Sequence, residues 1–216
     1  MIHLIIFDLD GTLADTRTDI AYAVNLTRNH FGLAPLSLKE IISYVGNGSE
    51  KLIQRSFHEQ PNADIKAVVC EFSRYYQQYL VRETRLYPGV TQGLEEFYNR
   101  GYPMAILSNK PGDLCRQFVA HFKLDKYFIK VLGGGDLPEL KPHPMGIFEI
   151  LKHAQSQRKA IAREMVWMVG DNSTDLKAGA GAGVKRVFCG FGFGDKAGLE
   201  CDYEIFNFSE LVSIIG

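Results

Sequence analysis

Cysteine is scarce in this 216-residue chain, and its four copies, Cys70, Cys115, Cys189 and Cys201, include no Cys-x-x-Cys pair. That spacing excludes a zinc framework and a disulfide-stapled scaffold, and it fits the thiols of a reducing, cytoplasmic compartment. Charge of one sign is missing as well. Twenty-four Lys and Arg stand against 25 Asp and Glu, a formal charge of -1, so the basic footprint of a nucleic-acid binder is absent. No apolar run approaches the roughly 18 residues of a membrane span. The opening Met1-Ile2-His3-Leu4 lacks the basic stretch and long apolar segment of a secretory leader. Internal repeats and low-complexity tracts are also missing. What remains is 46% hydrophobic and 23% charged, ordinary globular usage, in a length between one domain and two.

Short apolar runs of the kind found in strands buried on both faces recur at Ile2 to Phe7, Pro103 to Leu107, Phe128 to Leu132, Met165 to Val169 and Val184 to Phe188. Helical patterns separate them at Thr91 to Arg100, Pro111 to Phe122, His143 to His153 and Thr174 to Ala180. This alternation predicts an α/β fold, a Rossmann-like parallel sheet with helices on both faces. One region breaks the rhythm. From about Thr18 to Arg85 only helical periodicity is present, with Ile65, Val68, Val69, Phe72, Tyr76 and Tyr79 near one helix face. The block ends at Tyr87-Pro88-Gly89, a chain punctuator. An all-helical insertion at 16–85, carried on a discontinuous core of 1–15 and 86–216, is the expected organisation.

Four motifs lie at predicted strand ends, where open parallel sheets bind ligands. Asp8-Leu9-Asp10-Gly11-Thr12 follows the first strand. Carboxylates at i and i+2 of an extended segment address one site, and they repel unless a cation or shared proton intervenes. An all-oxygen environment suits Mg²⁺, and Gly11 is expected to bring a free N–H close to an anion. A lone Asp here would read as a helix or turn cap; the five-residue string does not. Ser108-Asn109-Lys110 offers a hydroxyl and an amide to phosphate oxygens, although Asn109 before Pro111 is also ordinary capping chemistry. Lys141-Pro142-His143-Pro144 presents an ammonium from a stiff backbone, suited to a transferring phosphoryl group; His143 fits a capping role better than that of a base. Gly170-Asp171-Asn172-Ser173-Thr174-Asp175 sets one acid at a strand end and another in the first turn of a helix. Asp171 is placed to complete a metal site, and Asp175 to orient its neighbours.

Other glycine-rich stretches carry less. Gly179-Ala180-Gly181-Ala182-Gly183 has a helix before it and a strand after it, the reverse of a dinucleotide fingerprint. Gly133-Gly134-Gly135 reads as a loop. Gly190 to Gly194, with Phe191 and Phe193 between the glycines, reads as a flexible loop near the same face, without an assigned role.

Taken together, the four motifs resemble those of the haloacid dehalogenase-like hydrolase superfamily over nearly the whole chain. Asp-Gly-Thr, Lys-Pro-His-Pro and the Gly46-Asn47-Gly48 stretch are similar to its phosphoglycolate phosphatase-like branch. The resemblance implies Asp8 as nucleophile and Asp10 as general acid/base. It implies Gly11, Thr12, Ser108, Asn109 and Lys141 around the phosphoryl group, and Mg²⁺ held by Asp8, Asp171 and the main chain of Asp10, with Asp175 behind them. The inserted helices would be a small all-helical cap domain, with Gly46, Asn47 and Gly48 as candidate readers of a small phosphorylated metabolite. The second acid, Asp10, separates this chain from the dehalogenases, and Asp-Lys-Thr-Gly-Thr of the transport ATPases is absent. Thr12, where sugar phosphomutases often have Val, favours hydrolysis over transfer. A sugar phosphomutase, a pyrophosphatase and a non-catalytic phospho-ligand binder stay open as alternatives. A phospho-acceptor signalling domain is disfavoured by an acid on the first strand and by the long insertion.

Overall fold

The computed structural model describes residues 2–157 and 161–215; the outermost residues of the expected core, Met1 and Gly216, lie outside the described residues. The first strand, β1 (Leu4–Phe7), has four apolar side chains, all buried. After it comes the two-residue strand β2 (Ala14–Asp15), and then the helices α1 (Arg17–His30), α2 (Leu38–Ser43), α3 (Ser49–Ser56) and α4 (Ile65–Gln78). The chain returns through β3 (Arg85–Leu86), antiparallel to β2, with Ala14 opposite Leu86 and Asp15 opposite Arg85.

Alternation then follows: α5 (Val90–Asn99), β4 (Met104–Pro111), α6 (Gly112–His121), β5 (Phe128–Gly134), α7 (Met145–Gln157), β6 (Val166–Gly170), α8 (Ser173–Ala182), β7 (Lys185–Cys189), β8 (Tyr203–Ile205) and α9 (Ser209–Ile215). The main sheet runs β5-β4-β1-β6-β7-β8, and every pairing within it is parallel. β1 is central, with Ile5 beside both Met104 and Trp167.

Alternate side chains of a strand face opposite sides of a sheet, and the core divides that way. Ile5, Phe7, Met104, Ile106, Trp167 and Val169 join one cluster. Leu4, Ile6, Ala105, Leu107, Val166 and Met168 join the other. α5, α6 and α9 cover the first face, with Leu94, Phe118 and Leu211 buried there. α7 and α8 cover the second, with Ile147, Ile150 and Ala178. The first cluster also runs on through Leu9 and Leu13 into Ile20, Val24, Leu52, Ile53 and Phe72 of the inserted helices. The insertion is thus apolar-bonded to one side of the sheet. Among the described residues no helix is long and apolar enough to cross a membrane.

Three differences from the sequence-based expectation have physical reasons. The strand expected to end at Leu107 runs further, because β4 continues through Ser108, Asn109 and Lys110 to Pro111. β8 escaped notice because Tyr203 and Glu204 are exposed at the sheet's edge and only Ile205 is buried. The β2–β3 ribbon has two residues per strand, too short for a pattern of period two.

Candidate active site

The strand ends converge as parallel topology requires. Asp8 follows β1, Ser108 to Lys110 finish β4, and Asp171 follows β6. Asp8, Asp10, Ser108, Asn109, Lys110 and Asp171 all line one cavity of about 60 Å³. The inserted helices and their turns supply its opposite wall, with Ile20, Ile42, Val45, Leu52, Phe72 and Tyr76.

Lys141 does not line the cavity itself; it lies behind Asp8, in contact with that carboxylate. Its side chain is 1% exposed, and Nζ donates to Asp175 Oδ1 at 2.6 Å and to the Leu107 carbonyl at 2.7 Å. It also lies 2.9 Å from Asp8 Oδ1. Three donors therefore meet three acceptors. Burial pulls the Lys141 pKa down, yet the carboxylates of Asp175 and Asp8 outweigh it and hold it above the ordinary lysine value. The Lys141–Pro142 peptide bond is cis. His143 Nδ1 accepts from the Met145 N–H at 3.2 Å, the capping role expected for it.

Asp175 sits in the first turn of α8 and closes a capping box with Asn172. Its Oδ2 accepts from the Asn172 N–H at 3.0 Å, so both its oxygens are engaged. Burial pushes its carboxyl up, with Lys141 pulling it back.

Asp171 is buried at the mouth of the Gly190 to Gly194 loop. Its Oδ2 accepts from the N–H groups of Phe193 at 2.9 Å and Gly194 at 2.7 Å. Burial, then the charges of Asp8 and Asp175, push the Asp171 carboxyl well above the usual carboxylate range. The loop read from the sequence as flexible is in fact folded tightly over this acid. A Cβ on Gly192 would lie 2.3 Å from Asp171 Cβ and 2.5 Å from the Gly11 carbonyl oxygen. Phe191 meets the Tyr87 ring edge-on at 4.9 Å, and the Arg17 guanidinium lies 5.9 Å from the Phe193 ring centroid.

Several expected phosphate contacts are already spent. The Gly11 N–H, expected to be free for an anion, donates to the Ala14 carbonyl at 2.9 Å. Gly11 instead clears space: φ is 80°, and a Cβ would lie 1.9 Å from Asp171 Oδ2. Thr12 is fully buried and does not line the cavity, and its N–H donates to the Leu9 carbonyl at 3.3 Å. Asn109 uses Nδ2 on the carbonyls of Gly46 and Lys141, each at 2.8 Å, and Oδ1 on the Lys141 N–H at 2.9 Å. Both its N–H donors are occupied, so Asn109 ties Lys141 to the inserted helices instead of facing a phosphoryl group. Ser108 does line the cavity, with Oγ accepting from the Lys110 N–H at 3.4 Å. Gly46 and Gly48 line it too; Asn47 does not.

One lining residue had no assigned role in the sequence reading. Lys110, 1% exposed, pairs with Asp10 Oδ1 at 3.0 Å and donates to the Tyr76 hydroxyl. Local sequence hides it, because its partners Asp10 and Tyr76 are 100 and 34 residues away.

The family model described as haloacid dehalogenase-like hydrolase matches residues 5–189. A phosphoglycolate phosphatase of Chromobacterium violaceum is 31% identical over 219 residues, covering 99% of this chain and 96% of that one. One from Neisseria meningitidis is 34% identical over 206 residues, covering 93% and 86%. The crystal structure of a predicted phosphoglycolate phosphatase from Haemophilus somnus superposes with a TM-score of 0.90 at 28% identity, covering 100% of this chain and 98% of that one. The chain belongs to the haloacid dehalogenase-like hydrolases, in their phosphoglycolate phosphatase-like branch, and is a phosphatase.

Proposed function

We propose that the protein hydrolyses a small phosphomonoester of the phosphoglycolate type through a covalent aspartyl-phosphate on Asp8. The observation that carries this reading is the contact between Asp8 and Lys141 at 2.9 Å, beside Asp10 in one small cavity. The Asp8 carboxylate attacks phosphorus in line, and the bond to the leaving oxygen breaks with its electron pair on that oxygen. Asp10 supplies the proton to the leaving oxygen and later takes one from the attacking water. Ser108 receives the charge on the phosphoryl oxygens, as does Lys141, whose donor to Asp8 is released when that carboxylate bonds to phosphorus. Asp175 acts on Lys141, holding the ammonium against Asp8.

The donor set fits a divalent cation. Asp8, Asp171 and Asp175 each bring a carboxylate oxygen within 4.8 Å of the others, a crowding of acids that favours a hard cation. Asp175 is engaged by Lys141 and Asn172. Asp8 Oδ1 and Asp171 Oδ2 have partners, which among the described residues leaves Asp8 Oδ2 and Asp171 Oδ1 to hold Mg²⁺, with the Asp10 main chain. When bound, the ion neutralises the approach of an anionic nucleophile to an anionic phosphoryl group. Residues 16–85 serve in this proposal as the cap that shields the reacting centre from water.

Phosphate release from phosphoglycolate with Mg²⁺ tests the reading. Asp8→Asn is expected to lose at least about 1,000-fold in kcat with an unchanged circular dichroism spectrum. Chelation is expected to stop turnover, and added Mg²⁺ to restore it. Normal turnover by the variant, or full activity in chelator, would overturn the assignment.

A further inference from the structure

Lys110 raises a question the phosphoryl chemistry does not answer. Among the described residues lining the cavity it is the one cation, yet the phosphoryl group is served by Lys141. Its side chain is 1% exposed. An ammonium has three donors, and two are used, on Asp10 and on the hydroxyl of Tyr76. Tyr76 also sets its ring under the ammonium, 4.2 Å from Nζ to the centroid. A buried ammonium with a donor unspent at a cavity is an anion site in waiting, because burying it without partners is costly.

The surroundings narrow the anion. On the side of the inserted helices the wall is largely apolar, with Ile20, Ile42, Val45, Leu52 and Phe72, while the carboxylates of Asp8, Asp10 and Asp171 lie on the sheet's side. About 60 Å³ is far below the several hundred Å³ of a drug-sized ligand site, so the cavity suits a short leaving group. The start of α3 adds a second source of positive potential. Gly48 caps that helix without a side-chain bond, so its first-turn N–H groups have no cap partner there. Ser49 lines the same cavity, and a Cβ on Gly48 would lie 3.6 Å from the Asn109 carbonyl, one residue before Lys110.

We propose that Lys110 and Tyr76, with the first turn of α3, form a subsite for a carboxylate on the leaving group, so that the enzyme selects phosphoesters of short hydroxy acids over those of neutral alcohols. This rests on the phosphatase reading above. With phosphorus at Asp8 and the ester oxygen at Asp10, a carboxylate one carbon beyond that oxygen comes within reach of an ammonium already bonded to Asp10. The third Lys110 donor then goes to the carboxylate, and the short apolar wall packs the intervening carbon.

Phosphoglycolate and ethyl phosphate differ in carrying a carboxylate or a methyl group at the same place, so their kcat/KM ratio reads the subsite. Wild-type enzyme with Mg²⁺ is expected to prefer phosphoglycolate by on the order of 100-fold. Lys110→Met is expected to remove most of that preference, lowering phosphoglycolate turnover far more than that of ethyl phosphate. Tyr76→Phe, which keeps the ring and the packing, is expected to reduce the preference by a smaller factor, mainly through KM. Equal losses on both substrates in Lys110→Met, with Tyr76→Phe leaving the ratio unchanged, would overturn the subsite and leave Lys110 as a support for Asp10. A wild type that turns over ethyl phosphate as well as phosphoglycolate would overturn it too, with the phosphatase reading intact. A protein inert towards both would count against the small-phosphoester reading itself.

Discussion

Asp175 Oδ1 lies 2.6 Å from Lys141 Nζ, an ion pair whose two side chains are 0% and 1% exposed. Neither charge reaches water, so each depends on the other and on the hydrogen bonds around them. The pair fixes the direction of the Lys141 ammonium, which the Leu107 carbonyl and Asp8 then complete.

Asp175→Asn keeps the shape and removes the charge. A drop of about 10- to 100-fold in kcat is expected, with KM nearly unchanged, because the phosphoryl group still binds while Lys141 is less firmly held. Steady-state kinetics check this. Loss in KM alone would mean that Asp175 does not act through Lys141.

Gly11→Ala tests the closeness of the first and fourth motifs. The new Cβ would have to occupy a space 1.9 Å from Asp171 Oδ2, at a φ of 80°. Left-handed strain costs about 1–2 kcal/mol and overpacking about 1–3 kcal/mol. A lowered Tm is expected, together with weaker Mg²⁺ binding by calorimetry, since Asp171 must move. An unchanged Mg²⁺ affinity would show that Asp171 is not a ligand.

Glu59 gives a pH-dependent stability away from the site. Hydrogen bonds from buried Arg28 hold its carboxyl down, from 4.5 to about 2. The folded form therefore binds its proton less readily than the unfolded chain does, and stability rises with pH across that window. The contribution is complete above about pH 4.5 and lost as pH falls through about 2. Glu59 is 40% exposed, so solvent screening limits it to about 1 kcal/mol. Glu59→Gln is expected to lower the Tm at pH 7 and to leave it unchanged near pH 2, as thermal melts at the two pH values would show.

The residues legible from sequence were those that end an apolar run. Asp8, Asp171 and Ser108 each follow buried strand residues, and parallel topology carries strand ends to one edge. Lys141 was legible through its stiff neighbours. Partners distant in sequence left no local signal. Asn109 looked like a phosphate ligand, but its amide is spent on Lys141 and on Gly46, contacts made only in the folded chain. Lys110 carries no local signal because the length of β4 depends on pairing with β5, where a register irregularity carries the strand to Pro111. The Gly190 to Gly194 loop was anonymous for the same reason: Gly192 and Gly194 are required by Asp171, just beyond the end of β6.

The ribbon of β2 and β3 brings the departure and return of the inserted helices together, Asp15 directly opposite Arg85. Residues paired that way lie about 5 Å apart, so from the sheet's side the insertion resembles a long loop with pinned ends. Lengthening such a loop costs only a logarithm of its length. The helical block can therefore be exchanged, enlarged or trimmed between those two rungs without re-registering β1. The wall that the inserted helices lend to the cavity is then free to diverge as a module, while the acids and Lys110 stay with the sheet.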